Sequence, residues 1–109
     1  MSAAKIIPGG FTTVQIVTEE VKEICIKVKS EMEKKTGIHF KDYIPLLYKS
    51  QVVAGTNYLV KVDICQENGQ KEDKCVHAMI FQALPCYGGE LTVTGVLHPK
   101  TLMDPLVHF

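Results

Sequence analysis

Four cysteines (Cys25, Cys65, Cys75, Cys86) and four histidines (His39, His77, His98, His108) are the groups with which this chain could perform covalent chemistry. A thiol hydrolase needs a cysteine activated by a neighbouring histidine, usually within a local nucleophile motif. No cysteine here sits in such a motif, and the histidines are scattered. Cys25 falls beside a helical apolar stripe and reads as a core residue. Cys65 and Cys75 flank one polar loop, with His77 two residues further on. A metal site would want a fourth ligand and closer C-x-x-C pairing. The pair reads as free thiols in a reducing compartment, with a cross-strand disulfide as the alternative under oxidising conditions. Gly9-Gly10 and Gly88-Gly89 lack the spacing that cradles phosphate and open no helix after a strand. The residues therefore imply no catalytic site, no metal and no cofactor, and each histidine reads as an ordinary polar contact.

A different feature stands out. Gln51-Val52-Val53-Ala54-Gly55 interrupts a strand-like run, yet two of its residues are apolar. Valines left outward in a turn are a protein-binding feature. Each contributes roughly 1.5–3 kcal/mol when buried, before the costs of association are subtracted. Residue types alone leave open whether Val52 and Val53 face outward or fold back onto the sheet.

Such a turn must be carried by something rigid. The first eleven residues include Pro8, Gly9 and Gly10 and read as a flexible arm. Residues 11–17 alternate loosely, with Thr12, Val14 and Ile16 opposed to Thr13, Gln15 and Val17, and predict a first strand. Thr18 offers an N-cap hydroxyl, and Glu19 and Glu20 suit the first turn of a helix. Val21, Ile24, Val28 and Met32, with Cys25 beside them, recur at helical spacing up to about Lys35; Ile26 falls off this stripe and should be partly exposed. Gly37 is a natural C-terminal cap.

Beyond Ile38 the chain reads as strand and turn. Residues 40–50 form a strand in which Pro45 marks an edge or a bulge. Residues 56–65 alternate, with Tyr58, Val60, Val62 and Ile64 on one face and Asn57, Lys61 and Asp63 on the other. Residues 66–74 make a hairpin connection, 76–84 a strand, 85–90 a loop and 91–97 a final strand; the tail, with Pro99 and Pro105, reads as irregular and laid on the surface. One helix followed by an antiparallel meander is an α+β layout, expected as a single domain over residues 1–109.

Composition narrows the partners. Lys and Arg total 12, as do Asp and Glu, so the chain lacks the cationic surplus that nucleic acid or an anionic membrane would require. No secretory or membrane-spanning run stands out, and a cytoplasmic location is expected.

The motifs also carry a resemblance. Gln51-Val52-Val53-Ala54-Gly55 is similar to the QVVAG motif of cystatins, and the continuation Thr56-Asn57-Tyr58 to that of stefins. Ile7-Pro8-Gly9-Gly10-Phe11 resembles the arm of the stefin A type, while Val76-His77, Phe81, Leu84-Pro85 and the terminal Phe109 resemble later stefin segments. The similarity runs over essentially the whole chain. It implies the cystatin fold, a long helix wrapped by a multistranded antiparallel sheet, and a protein that is no enzyme but a reversible, competitive, tight-binding inhibitor of papain-like cysteine proteases of the cathepsin L, S, H and B type. It further implies a three-part wedge. Gly9 would be the pivot of an arm that puts Ile6, Ile7 and Pro8 in the unprimed subsites, with Gly10 behind it. Gln51, Val52, Val53, Ala54 and Gly55 would fill the centre of the cleft, and Leu84 and Pro85 would brace the primed side. Departures are the absence of Trp, the unexpected Cys86-Tyr87, a long 66–74 loop and the Met1 to Lys5 extension. The competing expectation is a non-inhibitory interaction protein on the same scaffold, either a monomer or a domain-swapped dimer.

Overall fold

The computed structural model describes residues 10–65 and 74–109. Its elements are β1 (Gln15–Ile16), α1 (Glu19–Thr36), β2 (Asp42–Val53), β3 (Gly55–Cys65), β4 (Cys75–Gln82), a 3₁₀ turn (Pro85–Tyr87) and β5 (Leu91–Lys100). The strands form one antiparallel sheet in the order β1-β2-β3-β4-β5. The expected helix-on-meander architecture is present.

Helix α1 is bounded as its local chemistry dictates. The Thr18 hydroxyl accepts from the Val21 amide, and Gly37 closes the far end at φ +71°, its amide donating to the Glu33 carbonyl. Val21, Ile24, Cys25, Val28 and Met32 are buried, whereas Ile26 is exposed. The buried stripe packs on Tyr58, Val60, Val62 and Ile64 of β3, on Val76, Ala78 and Ile80 of β4 and on Val93 of β5. Tyr43 ties β2 to the helix by donating to the Cys25 carbonyl at 2.7 Å. The Glu33 carboxylate does the same for the connection by accepting from the Phe40 amide at 2.8 Å.

The opposite face of the sheet is covered as well. Leu59 and Met79 pack with Leu106 of the tail and with Phe11 and Leu47. Lys61, placed by alternation on a polar face, is buried there and donates to the Leu102 carbonyl at 2.7 Å. The tail is irregular beyond Lys100, as expected, but it is a packed strap that buries Leu106.

Several boundaries differ from expectation. Only Gln15–Ile16 forms a ladder in the first segment, and Val14 and Ile16 face outward, Ile16 at 79% exposure. This segment is the edge of the sheet, paired with β2 next to the register shift between Pro45 and Leu47. Thr12 is buried instead. Strand β5 continues to Lys100, and the loop after β4 contains the 3₁₀ turn. Of the 66–74 connection, residues 66–73 lie outside the described residues.

Candidate functional site

The apolar turn is resolved in favour of the outward arrangement. Branched side chains favour extended backbone, and β2 runs on through Val53 while β3 resumes at Gly55, leaving Ala54 alone at the tip. Val52 pairs with Thr56 and Val53 with Gly55. Both valines project into solvent, 60% and 42% exposed, and Ala54 is exposed beside them. Cross-strand, Asn57 donates to the Gln51 side-chain oxygen at 2.9 Å, which fixes the stem of the hairpin. That bond was missed in the sequence; the symmetric placing of two amides about the turn is the signal that could have found it.

Gly55, the first residue of β3, is where the first hairpin approaches the end of β4. It sits at φ +127°, and a Cβ there would lie 2.5 Å from the Gln82 carbonyl oxygen and 2.7 Å from the Phe81 ring. The β2–β3 tip is therefore pressed against the end of β4, with Thr56 paired to Gln82. A cleft of about 380 Å³ separates the two loops, lined by Gly55, Thr56, Leu84, Pro85, Gly88 and Gly89 among others, with Glu20 at its helix side.

The second loop is short and internally bonded. The Tyr87 and Gly89 amides donate to the Leu84 carbonyl at 2.8 and 3.0 Å, and the Gly88 amide to the Pro85 carbonyl at 3.0 Å. Gly88 and Gly89 adopt φ +96° and +64°, which closes the turn. Leu84, Pro85, Cys86 and Tyr87 are all exposed.

The segment from Gly10 to Thr12 reaches the same end of the molecule. Thr12 donates its amide to the Ser50 carbonyl at 2.8 Å, and its hydroxyl accepts from the Ser50 amide at 3.1 Å. Since β1 and β2 run antiparallel, Gly10 and Phe11 head towards Gln51 and the hairpin tip. Ile6, Ile7, Pro8 and Gly9 lie outside the described residues. The structure thus brings Gly10, the residues from Gln51 to Gly55, and Leu84-Pro85 to one edge.

Of the groups suited to covalent chemistry, Cys86 is an exposed free thiol in the second loop, whereas Cys25, Cys75, His39 and His77 lie elsewhere. Cys25 is in the core, where burial pushes its thiol up to about 12. Cys75 is a buried free thiol opposite Asp63, and burial, followed by the Asp63 charge, raises it too. His39 lies 3.3 Å from the Glu33 carboxylate, and His108 packs on Phe11. His77 is buried under the tail. Among the described residues no group of three or more His, Cys, Asp or Glu side chains could hold a metal ion, and no helix is long and apolar enough to cross a membrane.

Two bonded hairpin loops lie side by side at one end of a helix-backed sheet and present exposed apolar side chains, Val52, Val53 and Leu84. The Cystatin domain model matches residues 9–95. The chain is 37% identical over 109 residues to Leukocyte cysteine proteinase inhibitor 1 of Sus scrofa, with 100% of both chains covered. It is 37% identical over 103 residues to Cystatin-A of Homo sapiens, covering 94% of this chain and 99% of that one. To Stefin-C of Bos taurus it is 36% identical over 101 residues, covering 93% and 94%. This chain belongs to the cystatin family, whose members are inhibitors of cysteine proteases rather than enzymes.

Proposed function

We propose that this protein inhibits papain-like cysteine proteases reversibly and in competition with substrate, by seating this edge in the active-site cleft. The observation that carries the reading is the outward, hydrogen-bonded hairpin tip with Val52 and Val53 in solvent. Magnitudes argue that the tip does not act alone. Two buried valines supply roughly 3–6 kcal/mol, against association costs of about 4–15 kcal/mol. Tight binding at the nanomolar level needs about 12 kcal/mol net, so the flanking segments must add contact.

In this reading Gln51, Val52, Val53, Ala54 and Gly55 occupy the centre of the cleft. Leu84 and Pro85 brace its primed side. Gly9 turns an arm whose Ile6, Ile7 and Pro8 take the unprimed subsites, with Gly10 leading back to the Thr12–Ser50 tether. Both loops are held by backbone hydrogen bonds before docking, which keeps the ordering cost low. No covalent bond is formed or broken. A glycine at the pivot lets the arm pass close to the protease without offering its peptide bond to the thiol. A cytoplasmic location goes with this reading, because Cys25, Cys75 and Cys86 are free thiols.

Titration of papain, cathepsin L and cathepsin B with the intact chain tests the proposal. Near-stoichiometric loss of activity, relieved by excess substrate, is expected for the first two. Papain left fully active at micromolar inhibitor would end it.

A further inference from the structure

Tyr87 is 71% exposed, a large fraction for an aromatic ring in a loop whose backbone is otherwise tightly bonded. Among the described residues no ring contact or side-chain hydrogen bond engages it. The backbone that carries it is nonetheless held by hydrogen bonds. The 3₁₀ turn Pro85–Tyr87 begins at a proline, whose backbone is already restricted. It ends at Gly88 and Gly89, both at positive φ, and the Tyr87 amide itself is bound to the Leu84 carbonyl. A ring carried this way pays little ordering cost when it meets a partner, and tyrosine adds two rotatable bonds only.

The ring is also continuous with the candidate edge. It lies two residues beyond Pro85, and the residues on either side of it in the loop, Leu84, Pro85, Gly88 and Gly89, line the same cleft as Gly55 and Thr56 of the first hairpin. The first hairpin tip abuts the end of β4 that leads into this turn, with Thr56 paired to Gln82. The chain has no tryptophan, which leaves Tyr87 as the largest side chain in the second loop. Tyrosine is among the residues enriched where binding energy concentrates.

We propose that Tyr87 is a specificity-determining anchor, packing its ring on an apolar surface of the target protease beside the primed end of the cleft. The inference rests on the inhibitor reading above and adds a residue to it. Because the ring lies at the flank of the edge, it meets protease surface beyond the part filled by the first hairpin. An apolar surface there gains a buried aromatic contact, whereas a charged or hydrated one gains nothing. The residue therefore separates proteases from one another more than it sets a common affinity.

Tyr87→Ala and Tyr87→Phe, measured against papain, cathepsin L and cathepsin B, test this. Tyr87→Ala should raise the inhibition constant about 10- to 100-fold for at least one of these enzymes, chiefly by faster dissociation. The losses should differ by about fivefold or more among the three. Tyr87→Phe should stay within about threefold of the parent, because the ring carries the contact. The melting temperature of both variants should match the parent within about 1 °C, since an exposed ring contributes little to folding. Loss that is within twofold on every enzyme, or equal on all three, overturns the anchor while the parent's inhibition stands. A parent that inhibits none of the three refutes the inhibitor reading, and the anchor falls with it.

Discussion

A methyl group on Gly55 would meet the Gln82 carbonyl and the Phe81 ring at a backbone angle that L-residues avoid. Relief would require the first hairpin to lift away from the second. Gly55→Ala should therefore cost about 2–4 kcal/mol of stability. It should also weaken protease inhibition beyond what the parent loses at the same fraction unfolded. Denaturant unfolding and inhibition measured on one preparation check both; a variant with unchanged midpoint would mean that the two loops are not pressed together. The neighbouring valines carry the opposite signature. Both are solvent-facing, so Val52→Asp and Val53→Asp should leave the melting temperature nearly unchanged. Each should reduce affinity by about 100-fold, because a carboxylate would have to be desolvated on docking. Equal potency of parent and variants would remove the hairpin tip from the interface. The identity of these positions was legible as a motif, yet their orientation was not. Whether a valine in a turn faces out depends on strand pairing on both sides of it, which residue type does not carry.

Helix α1 was legible almost to the residue, because its signals are local: the Thr18 cap, the acidic first turn, the apolar spacing and Gly37 each act within one or two turns of chain. The same locality makes it testable. Gly37→Ala, forced to φ +71° with open space around its Cβ, should cost about 1 kcal/mol. Thr18→Ala should cost about 0.5–1 kcal/mol. Together they should lower the melting temperature by several degrees without altering inhibition of papain, since neither touches the candidate edge. Additive losses are expected from sites so far apart. A fall in potency at full folding would instead tie the helix ends to binding. The first strand was read poorly for the converse reason. The 11–17 segment alternates as a strand should, but its fate is set at long range by the bulge between Pro45 and Leu47 and by Phe11 packing under the tail. Alternation placed Lys61 on the face away from the helix, as the structure has it, but its burial was not legible: nothing near it in sequence announces that the tail returns to cover it.

At the scale of the whole molecule, the sheet is a central layer between the helix and the C-terminal strap. His77 of β4 is buried, its Nε2 has no hydrogen-bond partner among the described residues, and it pairs across the ladder with Lys61. The charged groups acting on it are Lys61 on β3, Lys100 at the end of β5 and Asp104 on the strap. Burial first, then the two lysines, depress its basicity to about 4 against Asp104, which acts the other way. The sign follows from proton binding. Unfolded His77 takes up a proton as pH falls through about 6.5, whereas the folded molecule refuses it until about 4. Stability is thus fully present above pH 6.5, is lost between about 6.5 and 4, and changes no further below that on account of this group. The loss amounts to about 3 kcal/mol over the window. Asp104, held below its ordinary value chiefly by the Thr101 amide, stays charged across most of the window and keeps its attraction for Lys100. Because Lys61 anchors Leu102, a charge gained at His77 should loosen the strap before the helix face opens. Urea midpoints at pH 7, 6, 5 and 4.5 should fall steadily for the parent and much less for His77→Gln. Amide protection, corrected for the slower intrinsic exchange at low pH, should be lost first at Thr101, Met103 and Asp104, whose amides are bonded within the strap. Parallel pH profiles for the two proteins would show that the acid sensitivity resides elsewhere, and protection lost first in α1 would separate His77 from the strap.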